Sequence, residues 1–209
     1  MNMAVRDIRI SETGDYERLV ILFVENGLEF SAEDVVPTDL VKCWKAEEER
    51  GGVFGDEGSA AVAVFGGGGA AAAGATLKLV GGCVLAKREG HFICDGIATD
   101  PSARGQRVGE RLLFAMIDEV RALGDNALYL VARAPGFFAK YGFAAVPRDA
   151  APTFFECFSC PQYGISCQPE VMRLDIPPGT IDMKLEESMD SKTLDEEEVA
   201  ERLERLGIA

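Results

Sequence analysis

Residues 95–113 read DGIATDPSARGQRVGERLL, and this stretch decides the fold. The residues before Asp100-Pro101 form an apolar run that is typical of a β-strand. The residues that follow have apolar side chains at helical spacing from Val108 to Leu123, and Gly124 is a stop signal. The sequence therefore predicts a strand, a short turn and an amphipathic helix in direct succession.

The turn between strand and helix, RGQRVG (104–109), is called the anion loop below. A helix that starts here points backbone N–H groups out of its N-terminus, where the helix dipole also favours negative charge. Gly105 and Gly109 let the backbone approach a ligand closely, and Arg104 and Arg107 add cationic side chains. The anion loop is therefore predicted to hold a phosphate group, although a glycine turn with solvated arginines is the alternative.

The strands around this unit predict a mixed α/β sheet. Closely spaced apolar runs at 78–87 and 91–100 are expected to pair antiparallel. ALYLVA (127–132) is a continuous β-prone run, which indicates a strand covered on both faces. A short helix over 135–142 then leads to a strand near 143–147.

The N-terminal half predicts a strand over 5–10 and a helix within 11–27. For 27–50 the sequence predicts a loop around Pro37 and a second helix that carries Leu40, Val41 and Trp44. Residues 66–75, rich in Gly and Ala, read as a flexible linker inside one domain that spans 1–176.

Residues 177–209 form an acidic tail with a capping box at Thr193 and Glu196. A narrow apolar stripe of Val199, Leu203 and Leu206 indicates a helix that docks on the domain or on a partner. A solvated tail is the favoured alternative, because acidic blocks are usually solvated.

Composition limits the classes of partner. A net charge of −14 argues against nucleic acid or an anionic membrane, which are bound by clustered Lys and Arg. No apolar run reaches the length of a signal peptide core or a membrane span, so we expect a cytoplasmic protein. Its six cysteines are then expected to be reduced thiols or metal ligands.

The segment 95–113 closely resembles the acetyl-CoA-binding signature of the GCN5-related N-acetyltransferase (GNAT) superfamily, in which an Arg/Gln-x-x-Gly-x-Gly/Ala loop holds the pyrophosphate of CoA. ALYLVARAPGFFAKYGFAAV (127–146) looks like the second conserved segment of that superfamily. The resemblance implies an α/β GNAT fold with a mixed, mostly antiparallel sheet flanked by helices. It also implies acetyl transfer from acetyl-CoA to an amine that attacks directly in a ternary complex.

The same resemblance implies a set of residues that bind acetyl-CoA. They lie at the end of the strand, in the anion loop and on the helix of the second segment: Ile97, Ala98, Thr99, Arg104, Gly105, Gln106, Arg107, Val108, Gly109, Phe138 and Lys140. Two of them depart from the family pattern. Arg107 replaces the first Gly of the loop, and Phe138 replaces the Tyr that protonates the departing thiolate in many members.

The general base is predicted from the strand over 92–99. Strict alternation would place Ile93, Asp95, Ile97 and Thr99 on one face, and Phe92, Cys94, Gly96 and Ala98 on the other. Asp95 is therefore the candidate base, acting directly or through water, while a turn or cap role is the alternative. His91 is expected to be a surface residue.

Residues 132–173 look most like the short amino-acid N-acetyltransferases, the group with N-acetylglutamate synthase-like enzymes. The expected acceptor is thus a small-molecule amine, with Arg133 as the candidate for its carboxylate. Protein or peptide acetylation and a non-catalytic CoA-binding module are the alternatives, and a homodimer is one assembly that the sequence allows. Cys157, Cys160 and Cys167 follow a C-x₂-C-x₆-C spacing, of which the first two fit half a zinc site, but core or loop thiols are favoured.

Overall fold

The computed structural model describes residues 7–30, 36–50, 76–153, 155, 161, 163–165, 167–177, 200, 201, 203 and 204. Up to residue 177 the described residues form three α-helices and seven strands. In chain order they are β1 (Ile8–Glu12), α1 (Tyr16–Glu25), β2 (Leu40–Arg50), β3 (Thr76–Arg88), β4 (His91–Thr99), α2 (Val108–Ala122), β5 (Ala127–Ala132), α3 (Pro135–Ala139), β6 (Ala144–Ala145) and β7 (Glu170–Asp175). A single 3₁₀ turn, Pro101–Ala103, connects β4 to the anion loop.

The strands form one mixed sheet in the order β1-β2-β3-β4-β5-β7-β6. All neighbours are antiparallel except β4 and β5, which are parallel. The β4–β5 ladder runs from Phe92–Leu128 to Cys94–Leu130, while β4 itself continues to Thr99. The two central strands therefore separate over the second half of β4. This is the mixed, mostly antiparallel α/β sheet that the sequence predicts.

Helices α1 and α2 cover opposite faces of the sheet. Leu19 and Phe23 of α1 lie in one core cluster with Cys43 and Val84, and the buried stripe of α2 lies in a larger cluster on the other face. Two consecutive glycines of β3 permit this close approach. A Cβ on Gly81 would lie 2.7 Å from Val108 Cγ1 of α2, and one on Gly82 would meet Leu19 of α1.

The prediction of a second helix over 40–50 is wrong, because these residues form β2. Cys43 packs on the α1 face, whereas Trp44 and Ala46 pack on the α2 face. The segment pairs with both β1 and β3, so its backbone hydrogen bonds are made to two neighbouring strands. Its Lys and Glu residues favour helix only weakly, and these tertiary contacts override that preference.

The predicted alternation of β4 is also wrong beyond its midpoint. Gly96 and Cys94 pair with the consecutive residues Val84 and Leu85 of β3, so Asp95 is the extra residue of a β-bulge. The bulge exchanges the two faces of the strand. Phe92, Cys94 and Ile97 therefore pack toward α2, while Ala98 packs toward α1.

The remaining elements follow the predictions closely. β3 and β4 are antiparallel, β5 is buried, and α2 begins after Arg107 and ends before Gly124. The tail differs from the favoured prediction of a solvated segment, because the described residues 200, 201, 203 and 204 are helical and Leu203 packs against the α2-side core cluster. The linker at 66–75 and the capping box at Thr193 and Glu196 lie outside the described residues. Among the helices described, none combines the length and the apolar character needed to cross a bilayer.

Candidate active site

A cleft of about 1040 Å³ opens where β4 and β5 separate. Its walls come from the end of β4, the anion loop, the first turn of α2, and α3. The volume is of the size that holds a cofactor-sized ligand. Ten of the predicted acetyl-CoA residues line it: Ile97, Ala98, Thr99, Arg104, Gly105, Arg107, Val108, Gly109, Phe138 and Lys140.

The first turn of α2 presents N–H groups to this cleft. The first helical bond runs from the N–H of Arg111 to the carbonyl of Arg107, so the amides of Val108, Gly109 and Glu110 precede the intrahelical ladder. The N-cap residue, Arg107, makes no side-chain capping bond. Such an N-terminus attracts an anion through its amides and the helix dipole.

Two residues of the anion loop have left-handed backbone conformations. Gly105 has φ +81° and Arg107 has φ +55°. Glycine adopts this conformation freely, whereas a residue with a side chain costs roughly 1 kcal/mol or more there. The Arg at 107, which departs from the family pattern in sequence, therefore occupies a position where glycine is favoured.

The turn before the loop is held by Asp100. Its Oδ1 atom accepts hydrogen bonds from the Ser102 N–H at 2.8 Å and from the Ser102 hydroxyl at 2.5 Å. Lys78 on β3 lies 3.1 Å from the other carboxylate oxygen and also donates to Ser102. The bonds from Ser102 are the first cause of a lowered pKa of Asp100, with Lys78 adding to it. The loop is thus anchored to β3.

The cleft is locally cationic in an acidic chain. Arg104, Arg107 and Lys140 contribute positive charge to its walls, whereas Glu110 is the single carboxylate among the described residues that line it. A protein of net charge −14 thus concentrates cations beside an uncapped helix N-terminus. This arrangement suits a ligand with several phosphate groups.

Glu110 and Tyr141 line the cleft as well, and the sequence did not identify them as site residues. Glu110 Oε2 accepts hydrogen bonds from Arg107 Nε at 2.9 Å and from the Tyr141 hydroxyl at 2.8 Å. Glu110 is 3% exposed and its Oε1 atom is buried without a hydrogen-bond partner among the described residues. The only sequence signal for this cluster is an Arg at a glycine position with a Glu three residues later.

Asp95, the predicted base, is held in an ion pair. Arg88 at the end of β3 contacts its two carboxylate oxygens at 2.8 and 3.1 Å, and Arg88 Nε also lies 2.5 Å from Asp39. Asp95 is not among the residues that line the cleft. It sits at the bulge, on the side of β4 where the loop before β2 approaches.

Three other residues considered from the sequence do not line the cleft. Gln106 belongs to the anion loop but is buried beneath it rather than on the wall. Arg133 is exposed at the end of β5 and donates to the carbonyl of Gly27, which tethers the segment after α1. His91 is exposed and packs edge-on against Tyr129, as a surface residue.

Buried cysteines are part of the core. Cys43 and Cys83 are buried, as the sequence predicts, and Cys94 joins them. Burial raises the pKa of the Cys43 thiol to about 11, so these thiols stay protonated. Within the described residues, no group of three or more His, Cys, Asp or Glu side chains is placed to hold a metal ion. Cys167 is described, whereas Cys157 and Cys160 lie outside the described residues.

Comparison with known proteins agrees with this geometry. A family model described as the acetyltransferase (GNAT) domain matches residues 41–145, which include β2 to β6 and the whole anion loop. No curated protein matches the sequence.

The solved structures that share the fold include three acetyltransferases. N-acetylglutamate synthase from Neisseria gonorrhoeae, complexed with coenzyme A and N-acetyl-glutamate, has a TM-score of 0.53 and 19% identity over 82% of this chain. The ribosomal-protein-S18-alanine N-acetyltransferase from Escherichia coli has a TM-score of 0.50 and 16% identity over 80% of this chain, and 93% of it is covered. A GNAT-family acetyltransferase from Staphylococcus aureus Mu50 has a TM-score of 0.50 and 14% identity. The match covers 79% of this chain and 97% of the Staphylococcus protein. The match spans only 35% of the Neisseria protein.

Proposed function

The chain belongs to the GNAT acetyltransferase family, and on this premise we propose that it transfers an acetyl group from acetyl-CoA to the primary amine of a small molecule, with an amino acid as the expected acceptor. The observation that carries the proposal is the cleft itself. An uncapped helix N-terminus and three cationic side chains meet the open end of β4 there. Coenzyme A has the complementary chemistry, with a diphosphate at one end of a narrow amide-containing arm.

The residues of the cleft divide into two roles. The anion loop and the first-turn amides of α2 bind phosphate, with Arg104 and Arg107 adding charge. Acetyl-CoA supplies an activated acetyl thioester when it is bound. The backbone of Ile97, Ala98 and Thr99, beyond the last β4–β5 pair, is our candidate for orienting the arm and polarising the thioester carbonyl.

The side chains of the cleft also bear on which group protonates the departing thiolate of CoA. Phe138 has no proton to donate. Burial, reinforced by the Glu110 carboxylate, raises the pKa of the Tyr141 phenol above its ordinary range, so this hydroxyl keeps its proton and directs it at Glu110. A phenol with a raised pKa is a poor acid toward a thiolate. We infer that solvent, rather than Tyr141, protonates the product thiol.

The general base is still a prediction. A base needs an oxygen within reach of the acceptor amine, directly or through one water. Asp95 binds Arg88 through both oxygens and lies off the cleft wall. We therefore expect Asp95 to serve the fold, and the substitution described in the Discussion separates the two roles.

The fold matches support two acceptor classes. One matched enzyme is an N-acetylglutamate synthase, which favours an amino acid, with Arg133 as the proposed carboxylate contact. The other acetylates the alanine of a ribosomal protein, which favours a protein N-terminus, and the net charge of −14 would attract basic peptides. A CoA-binding module without catalysis is the third possibility. We favour the amino acid because of the resemblance of 132–173 to the short amino-acid acetyltransferases.

The test is a product search with a charge-matched pair of variants. The purified chain is incubated with acetyl-CoA labelled in the acetyl group, and with amino acids, polyamines and basic peptides in separate pools. Labelled products are then found by mass spectrometry. We expect Arg104→Glu to weaken CoA binding about tenfold or more. Arg9→Glu changes the same charge on β1, where the side chain is 73% exposed, and should leave binding unchanged.

Each outcome of this test has a defined meaning. Labelled amino acids would support the proposal, and labelled peptides alone would favour the protein acceptor. Binding of CoA by the wild-type chain without product in any pool would favour the non-catalytic module. Absence of CoA binding would overturn the proposed function.

A further inference from the structure

We propose that Glu110 is a positioning residue for the anion loop, which anchors Arg107 through its Nε atom so that the terminal guanidinium nitrogens face the phosphates of acetyl-CoA. The proposal rests on the proposed function, because it assumes that the cleft binds CoA. Glu110 itself is not expected to touch the ligand.

The first step of the argument concerns the backbone of Arg107. This residue occupies the N-cap of α2 in a left-handed conformation, φ +55°, that disfavours a residue with a Cβ. A conformation of this kind persists where surrounding contacts hold it. The contact that holds it here is the ion pair from Arg107 Nε to Glu110 Oε2, 2.9 Å in length, within the first turn of the same helix.

The second step concerns Glu110. Its side chain is 4% exposed, and the Tyr141 hydroxyl fixes the same Oε2 atom from the segment that follows α3. Its Oε1 atom is buried and has no partner among the described residues. A buried carboxylate with one unsatisfied oxygen is costly to fold. Its retention on a cleft wall indicates a role in the site, and among the described residues the one cation it contacts is Arg107.

The third step concerns the guanidinium. Glu110 uses the Nε donor, whereas the two terminal nitrogens form the fork that binds phosphate in a bidentate manner. Arg107 lines the cleft, and the proposal places this fork at the wall. A long side chain already held in place loses less rotamer freedom when a ligand binds. Glu110 therefore raises affinity through Arg107.

The test is a double-mutant cycle read by calorimetric titration with coenzyme A. We expect Glu110→Ala to weaken binding about fivefold, which corresponds to the cost of ordering one long side chain. Arg107→Gly keeps the left-handed backbone and removes the guanidinium, and should weaken binding about tenfold. The double variant should bind no more weakly than Arg107→Gly alone, because Glu110 has nothing left to position.

The cycle separates positioning from general damage. A structural defect caused by Glu110→Ala would weaken binding in both backgrounds, so equal losses with and without Arg107 would overturn the proposal. Unchanged or tighter binding by Glu110→Ala would overturn it too. Glu119→Ala, a matched change on the same helix at the Lys42 ion pair, should leave CoA affinity unchanged.

Two further controls keep the result interpretable. Thermal unfolding of each variant shows whether it is folded at the titration temperature. If Glu110→Ala is not folded, Arg107→Gly alone decides, because unchanged CoA affinity would show that the fork does not reach the ligand. Failure of the wild-type chain to bind CoA would defeat the proposed function itself, whereas additive losses defeat only the role of Glu110.

Discussion

Tyr141 and Glu110 are joined by a hydrogen bond of 2.8 Å between the phenolic hydroxyl and Oε2. The bond connects the segment after α3 with the first turn of α2, so it links two walls of the cleft. Both side chains are buried, and the bond involves a charged acceptor, which makes it stronger than a bond between neutral groups.

Tyr141→Phe removes this bond and leaves the ring in place. We expect the free energy of unfolding to fall by about 2 kcal/mol, because a buried carboxylate loses one of its donors. The rate of acetyl transfer should stay within a few-fold of wild type if solvent, as we propose, protonates the product thiol. Urea denaturation and steady-state kinetics measure the two effects. A hundredfold fall in kcat in a variant of unchanged stability would instead make Tyr141 the acid.

The raised pKa of Tyr141 also predicts a loss of stability in alkali. Burial and the Glu110 carboxylate keep the phenol protonated in the folded state, while the unfolded phenol ionises near its ordinary pKa of about 10. The unfolded state therefore binds fewer protons above that pH, and stability falls as the pH rises further. The decline should be shallower in Tyr141→Phe. Denaturation curves between pH 8 and about 11 would show it.

Gly81 and Gly82 of β3 offer a matched pair of substitutions, one facing α2 and the other facing α1. An added Cβ at Gly81 would lie 2.7 Å from Val108 Cγ1, at the first residue of α2, and 3.2 Å from Leu112 Cδ1. We expect Gly81→Ala to lower stability by about 1–3 kcal/mol and to weaken CoA binding, because α2 must move away from the sheet. Gly82→Ala meets Leu19 of α1 on the opposite face and should affect stability alone. Equal CoA affinity in the two variants would contradict this.

Asp95→Asn distinguishes an ion-pair partner from a base. If Asp95 serves the fold, the variant should lose about 1–2 kcal/mol of stability through its weakened contact with Arg88, with kcat changed by no more than a few-fold. Arg88→Met should show a similar loss. A variant that binds acetyl-CoA normally but is slowed a hundredfold or more would establish Asp95 as the base. Denaturation, CoA titration and kcat together decide.

Asp100→Ala tests the anchor of the anion loop. Loss of the bonds to Ser102 should cost about 1 kcal/mol at pH 7 and weaken CoA binding. Because the pKa of Asp100 is lowered in the folded state, its stabilisation is present above the unfolded pKa and is lost as the pH falls. The difference between wild type and variant should therefore shrink below about pH 4. A difference that is constant from pH 7 to about 3 would argue against this.

The strand–turn–helix at 95–113 is accessible to sequence reasoning because helix-start signals and glycine positions act locally. β2 is not. Its apolar residues divide between two sheet faces, with Cys43 on one side and Trp44 on the other, and its many Lys and Glu residues resemble the surface of a helix. Only its pairing with β1 and β3 decides the conformation, and that pairing is non-local.

The candidate site is likewise divided between features that local sequence signals predict and features that depend on contacts between distant segments. The loop residues were predicted individually, whereas the bulge at Asp95 depends on the register between β3 and β4, which alternation alone does not reveal. Glu110 resembled an ordinary acidic residue of a first helical turn, and Tyr141 an ordinary aromatic residue. Their importance arises from a contact between segments 31 residues apart in sequence.

β4 separates from β5 after three residue pairs, and we expect the arm of acetyl-CoA to pair with the strand edge that this separation leaves. A ligand whose arm carries amide groups can pair with this strand edge. Because the edge exists only in the folded chain, binding of the ligand raises the free energy of unfolding. At a ligand concentration a hundred times its dissociation constant, this linkage is worth about 2.7 kcal/mol. The melting temperature of the protein should thus rise with the concentration of its acetyl donor, so that the apparent stability of the chain becomes a readout of ligand supply.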